Sequence, residues 1–169
     1  MILYKQVERY VKIPERDKIE KINRRAGELL EQLDVLLARG GEAREEVFSL
    51  VGSGEFRDLS AQNRLVHEVR LMVNAAQVEW EQGVERTLLG NRSAEELIAI
   101  YRELCLLLRR VETGLPEEYG MELTAFLQRE RISTVAVLCI IQGTELIYNK
   151  DSMIEKVMRM MEDRAGWMD

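Results

Sequence analysis

Apolar side chains recur along this chain in alternating steps of three and four residues, and that spacing restricts the fold more than any other feature. Ile19, Ile22, Ala26, Leu29, Leu33 and Leu36 form one series, which lies on one face of a helix. Leu65, Val69, Met72 and Ala76 form a second, widened by Val66, Val73 and Trp80, and Leu97, Tyr101, Leu104, Leu108 and Val111 a third. Only Pro14 and Pro116 interrupt 169 residues. Helix ends must therefore be set mainly by glycine and by capping side chains.

Pro14 suits the first turn of a helix that should stop at Gly40-Gly41. A shorter helix over 42–50 should end near Gly52-Ser53-Gly54, read as a flexible connection. Ser60 is a good N-cap for the longest helix, expected to run to about Leu89 and close at Gly90. Ser93 with Glu96 makes a capping box for the next, which Gly114 and Pro116 end. Residues 116–129 carry Tyr119, Leu123, Phe126 and Leu127 on one face.

Residues 133–148 are ambiguous, because Val135, Val137, Ile140 and Ile141 are β-branched and Gln142-Gly143 would serve as a hairpin turn. A helix fits better. A lone hairpin is marginally stable and no other strand is available to join it. Being apolar on all sides in its first half, this helix is expected to be the central member of a bundle. A last helix starts near Asp151 or Ser152, with Ile154, Val157, Met158 and Met161 on one side. Leu3, Val7, Tyr10 and Val11 align as a helix over the first dozen residues, although a strand also fits. The expectation is an all-α, compact multi-helix bundle of about seven or eight helices. It forms a single domain over 1–169, with 1–13 and 151–169 as candidate docking segments.

The formal charge is −6 and the pI near 5.1, so the overall field repels phosphate backbones. The first 25 residues reverse the sign, with eight Lys/Arg against four Asp/Glu. Those acids are threaded through the bases at helical spacings, which favours intrahelical pairing over anion binding. A helix-turn-helix around 44–72 would need a turn of about nine residues where the motif uses three or four, so nucleic acid is an unlikely partner on sequence grounds. The apolar run 135–141 is far short of the roughly 20 residues that span a bilayer, and charge enters the N-terminus too early for a secretory core. With Cys105 and Cys139 both in apolar stretches, a reduced cytoplasmic protein without membrane contact is expected.

Chemistry-bearing patterns fail one by one. A di-metal carboxylate bundle needs two Glu-x-x-His pairs, whereas His67 is the single histidine and Arg64 stands three residues before it. Two cysteines and one histidine cannot complete a four-ligand zinc site. Gly52-Ser53-Gly54 lacks the third glycine of a dinucleotide loop, where Arg57 stands, and no phosphate-loop or nucleophile-elbow sequence occurs. No catalytic residue, metal ligand or cofactor is assigned. His67, Arg70, Asn74, Gln77, Glu81 and Glu85 read as the solvated side of the long helix. His67, Arg70 and Asn74 are an alternative recognition stripe.

Two binding readings remain. Met153, Met158, Met160, Met161 and Met168 crowd the last seventeen residues beside Trp167, a composition suited to docking. The leading expectation is thus a non-catalytic protein-interaction module, an adaptor, regulator or small chaperone, working through amphipathic faces. Met153, Val157, Met160, Met161 and Trp167 would meet a protein partner or a second copy in a homodimer. The second is a small-molecule site between the C-terminal helices, lined by Tyr101, Gln142, Glu145 and Tyr148.

Overall fold

The computed structural model describes residues 2–84, 88–114, 116–144, 155 and 157–159, with side chains described from residue 15 onward except at 116 and 117. Helix α1 (Ile2–Ala38) passes through a 3-10 turn (Gly40–Ala43) into α2 (Arg44–Val51) and α3 (Gly54–Ser60). Then follow α4 (Arg64–Glu81), α5 (Ala94–Thr113), α6 (Pro116–Glu130) and α7 (Thr134–Gly143). Glu155 and residues 157–159 are also helical. Among the described residues there is no strand, and the all-α bundle expected from the spacing is what forms.

The centre of the bundle is α4, not the 133–148 segment. It touches α2, α3, α5 and α7, and its buried residues Val66, Val69, Met72, Val73, Ala75 and Ala76 reach around more than one face. Val137, Ile140 and Ile141 of α7 are fully buried, and α7 packs chiefly on α4. Apolar character all round reports how much of a helix is covered, but not which helix is shared by its neighbours. The single core joins Leu29 and Leu33 of α1, Phe56 of α3, Leu104 and Leu108 of α5 and Phe126 of α6. Truncating a fully buried leucine such as Leu33 to alanine is expected to cost about 2–5 kcal/mol.

Several boundaries differ from the sequence reading, each for a local reason. Helix α1 has no break at Pro14: a proline inside a helix loses one backbone bond and strains one turn without necessarily ending it. The Gly52-Ser53-Gly54 connection is a tight junction. Ser53 caps α3 by accepting the Phe56 N–H at 3.2 Å and donates its own hydroxyl to the Leu50 carbonyl at 2.8 Å. Ser60 ends α3 instead of starting the long helix, and Asn63 is the N-cap of α4, accepting from the Val66 N–H at 3.1 Å. Helix α4 stops at Glu81 because Gly83, at φ 79°, takes the left-handed position. From there Val84 donates back to the Glu79 carbonyl at 3.0 Å, the Schellman pattern of a helix end. Helix α6 ends the same way with a less suitable residue. Arg131 sits at φ 56° and Ile132 donates to the Leu127 carbonyl at 2.9 Å.

The capping box before α5 is present and reinforced. Ser93 accepts the Glu96 N–H at 3.2 Å, and Asp34, reaching across from α1, accepts the Ala94 N–H at 2.8 Å. Residues 134–143 form a helix, which rules out the hairpin, and Thr144 is already extended.

Candidate functional site: an arginine-lined cleft between α4 and α5

Two buried carboxylates, both on α4, organise the polar interior. Glu79, in its last turn, is fully buried. It accepts the Leu88 N–H at 2.8 Å and the hydroxyl of Ser133. Arg92 continues this network, donating to the Leu88 carbonyl at 2.6 Å and to the Glu130 carbonyl. The carboxyl of Glu79 is pushed up by burial, against the opposing pull of the Ser133 and Leu88 hydrogen bonds and the Arg92 charge. Its acceptors are used inside the chain, fastening the α4–α5 connection to the start of α7.

Glu68, near the other end of α4, is arranged differently. Its side chain is 2% exposed, and each oxygen takes the Nε of a different arginine: Oε1 from Arg64 at 3.2 Å and Oε2 from Arg102 at 2.9 Å. Arg64 lies one helical turn away and Arg102 comes from α5, so the carboxylate bridges the two helices. A guanidinium carries five N–H donors in a planar fork. With Nε engaged, the terminal nitrogens of both arginines stay available, and their side chains are 85% and 54% exposed.

These arginines rim an open cleft of about 1060 Å³. Its α4 wall carries Asn63, Arg64, His67 and Glu68; its α5 wall carries Tyr101, Arg102, Cys105, Leu106 and Arg109. Arg102, Leu106 and Arg109 recur at steps of four and three, which brings them to one face of α5. Leu106 is a large apolar side chain left more than half exposed beside these cations.

Two buried titratable side chains, Cys105 and Tyr101, line the cleft. Burial pushes the Cys105 thiol up, opposed only in part by its hydrogen bond with Tyr101 and by Arg109. The nucleophilic form of cysteine is the thiolate, so a thiol held this way is a weak attacking group. The Tyr101 hydroxyl is likewise pushed up, chiefly by burial. Both oxygens of Glu68 are occupied by arginine donors. Among the described residues no three His, Cys, Asp or Glu side chains gather closely enough to hold a metal ion.

Of the residues expected to line a pocket, Tyr101 lies in this cleft, 8% exposed. Gln142 stands exposed on α7 and is not in its lining. Glu145 and Tyr148 lie outside the described residues, as do Met153, Met160, Met161 and Trp167. Val157, expected to meet a partner, is buried in the core of its own chain, while Met158 next to it is 42% exposed. His67, assigned to the solvated side of the long helix, is half-buried and lines the cleft. Glu68 and Glu79 were not singled out by the sequence. Their one signal is position: each is adjacent on the helical wheel to the Met72, Val73 and Ala76 stripe.

No protein family, curated protein or solved structure matches the chain. Among the described residues no helix is long and apolar enough to cross a membrane.

Proposed function

We propose that this protein is a non-catalytic interaction module that takes an acidic segment of a partner protein in the cleft between α4 and α5. The observation that carries this reading is the double use of Glu68. By accepting Nε from both Arg64 and Arg102, it fixes two guanidinium groups side by side with their terminal donors free for carboxylates. Paired forks of this kind recognise carboxylates through two parallel hydrogen bonds. Arg109 extends the positive rim, and Leu106 offers an apolar contact beside it. The openness of the groove supports a peptide occupant, since small-molecule sites commonly enclose most of their ligand. Two free thiols, Cys105 and Cys139, support a reducing, cytoplasmic setting.

The test is fluorescence anisotropy with labelled glutamate- and leucine-rich peptides against neutral peptides of the same length. The acidic peptides should bind, and binding should weaken with added salt. R64Q/R102Q should lower affinity by about tenfold or more, given the size of charged interface contacts. Equal binding of the neutral peptides, or no loss in the double variant while its thermal melt stays cooperative, would overturn the proposal. If simple dicarboxylates bound as tightly as the peptides, the small-molecule reading, to which Tyr101 belongs, would replace it.

A further inference from the structure

The cleft between α4 and α5 holds more positive charge than its own acid can offset. Arg64, Arg102 and Arg109 line it against one carboxylate, Glu68. Three cations against one anion leave an excess of two positive charges, on a chain whose formal net charge is −6. Both Glu68 oxygens are already engaged, one by Arg64 at 3.2 Å and one by Arg102 at 2.9 Å. Since a single carboxylate spans both contacts, the two guanidinium groups are held as close neighbours.

Arg109 joins them from further along α5. It is exposed and forms no ion pair among the described residues, whereas Arg110 beside it is taken up by Glu122 at 3.0 Å. The Cys105 thiol marks where the arginines meet. Arg64 from α4 and Arg109 from α5 both favour its thiolate, against the burial that pushes the thiol up. Coulomb attraction fades with distance, so both charges stand near one point of the cleft wall, reaching it from opposite helices.

A ligand that answers this arrangement concentrates about two negative charges on one compact centre with more than two acceptor oxygens. A carboxylate brings one charge and two oxygens, and a single guanidinium fork satisfies it. A phosphate monoester brings about −1.5 to −2 charges at neutral pH and three acceptor oxygens. Its tetrahedral oxygens can meet donors arriving from two helices at once, where a planar group faces one direction.

We propose that the anion taken by this cleft is a phosphate monoester on a phosphorylated side chain of the partner segment, held by the terminal nitrogens of Arg64 and Arg102 together with Arg109. Leu106, 56% exposed, then meets an adjoining apolar residue of the segment. The proposal rests on the reading of the cleft as a site for an acidic segment, and it narrows the chemistry of that segment.

The experiment is fluorescence anisotropy on the full chain with labelled peptides of one leucine-containing sequence, carrying serine, phosphoserine, glutamate or a glutamate pair at the same place. The phosphoserine peptide should bind about tenfold or more tighter than the single-glutamate peptide. It should also bind tighter than the glutamate pair, which matches its charge but not its geometry. R109Q, at an exposed position, should remove most of this advantage, leave the glutamate peptide within about threefold of its wild-type affinity, and keep a cooperative thermal melt. If the glutamate peptides bind and phosphoserine binds no tighter than the pair, the acidic-segment reading stands and this inference falls; if no peptide binds, both fall. Inorganic phosphate binding as tightly as the phosphopeptide would assign the cleft to a free anion and overturn the phosphorylated segment as its source. A phosphoserine advantage undiminished in R109Q would overturn the three-arginine arrangement.

Discussion

The hydroxyl of Ser133 donates to the carboxylate of Glu79, tying the N-cap of α7 to the last turn of α4. Ser133 also accepts the Ala136 N–H at 3.1 Å. One side chain thus starts a helix and satisfies a buried acid.

Replacing Glu79 by alanine should leave the Leu88 N–H and the Ser133 hydroxyl without their acceptor. A loss of about 2–4 kcal/mol is expected from urea unfolding, the range for breaking a buried polar network. Ser133→Ala should cost less, about 1–2 kcal/mol, because it removes one cap and one donor. A Glu79→Ala protein as stable as wild type would show that the network contributes nothing net.

The same residue gives the protein a distinctive pH response. Burial holds the Glu79 carboxyl above its ordinary value, so the folded chain keeps a proton that the unfolded chain has released. Its contribution is full below the unfolded carboxylate value of about 4.3 and is lost as pH rises through the raised folded value. Urea midpoints measured across that interval should therefore fall for wild type relative to Glu79→Gln, whose side chain does not titrate. Parallel pH profiles for the two proteins would contradict this.

Asp34→Ala should uncap α5 from a distance. The Ala94 N–H loses its acceptor, and a destabilisation of about 0.5–2 kcal/mol is expected, the range for removing an N-cap. Combined with Ser93→Ala, the loss should depart from additivity, since both side chains serve the first turn of one helix. Chemical denaturation of the four proteins in the cycle measures it.

A stabilising change is available at Arg131. Its left-handed φ of 56° strains a residue with a β-carbon, whereas glycine adopts this conformation freely. Arg131→Gly should raise stability by about 0.5–1 kcal/mol, visible as a higher Tm. A lower Tm would mean that the arginine side chain makes a compensating contribution.

The guanidinium of Arg44 lies 3.6 Å from the centre of the Trp80 ring. Arg44→Ala should change the Trp80 emission and cost about 0.5–1 kcal/mol, as for an exposed cation–π pair. A Trp167→Phe background isolates the signal, because the chain has two tryptophans.

Much of the fold was legible because periodicity and caps act locally. Ser93, Glu96 and Gly114 fixed α5 closely, and the preference for a helix over a hairpin after Ser133 followed from counting available strand partners. The missed features depend on what a neighbour covers or on a single backbone angle. Gly83 ends α4 through a left-handed turn that looks no different in sequence from Gly27, which sits inside α1. Helix α3 has seven residues, too few to show a period. Glu68 was illegible because its meaning comes from Arg102, on a helix whose packing against α4 is a tertiary fact. The cleft therefore had two members that the sequence had singled out, Tyr101 for a pocket and His67 for a recognition stripe, and its arginines became recognisable only once α4 and α5 were side by side.

The position of α4 bears on how the molecule comes apart. Four helices use it as a common wall, so the described body has no seam along which one half could detach and remain folded. Proteolysis in the connection after Gly83 should leave a nicked but associated particle until denaturant separates it, and unfolding should proceed as one event rather than in layers.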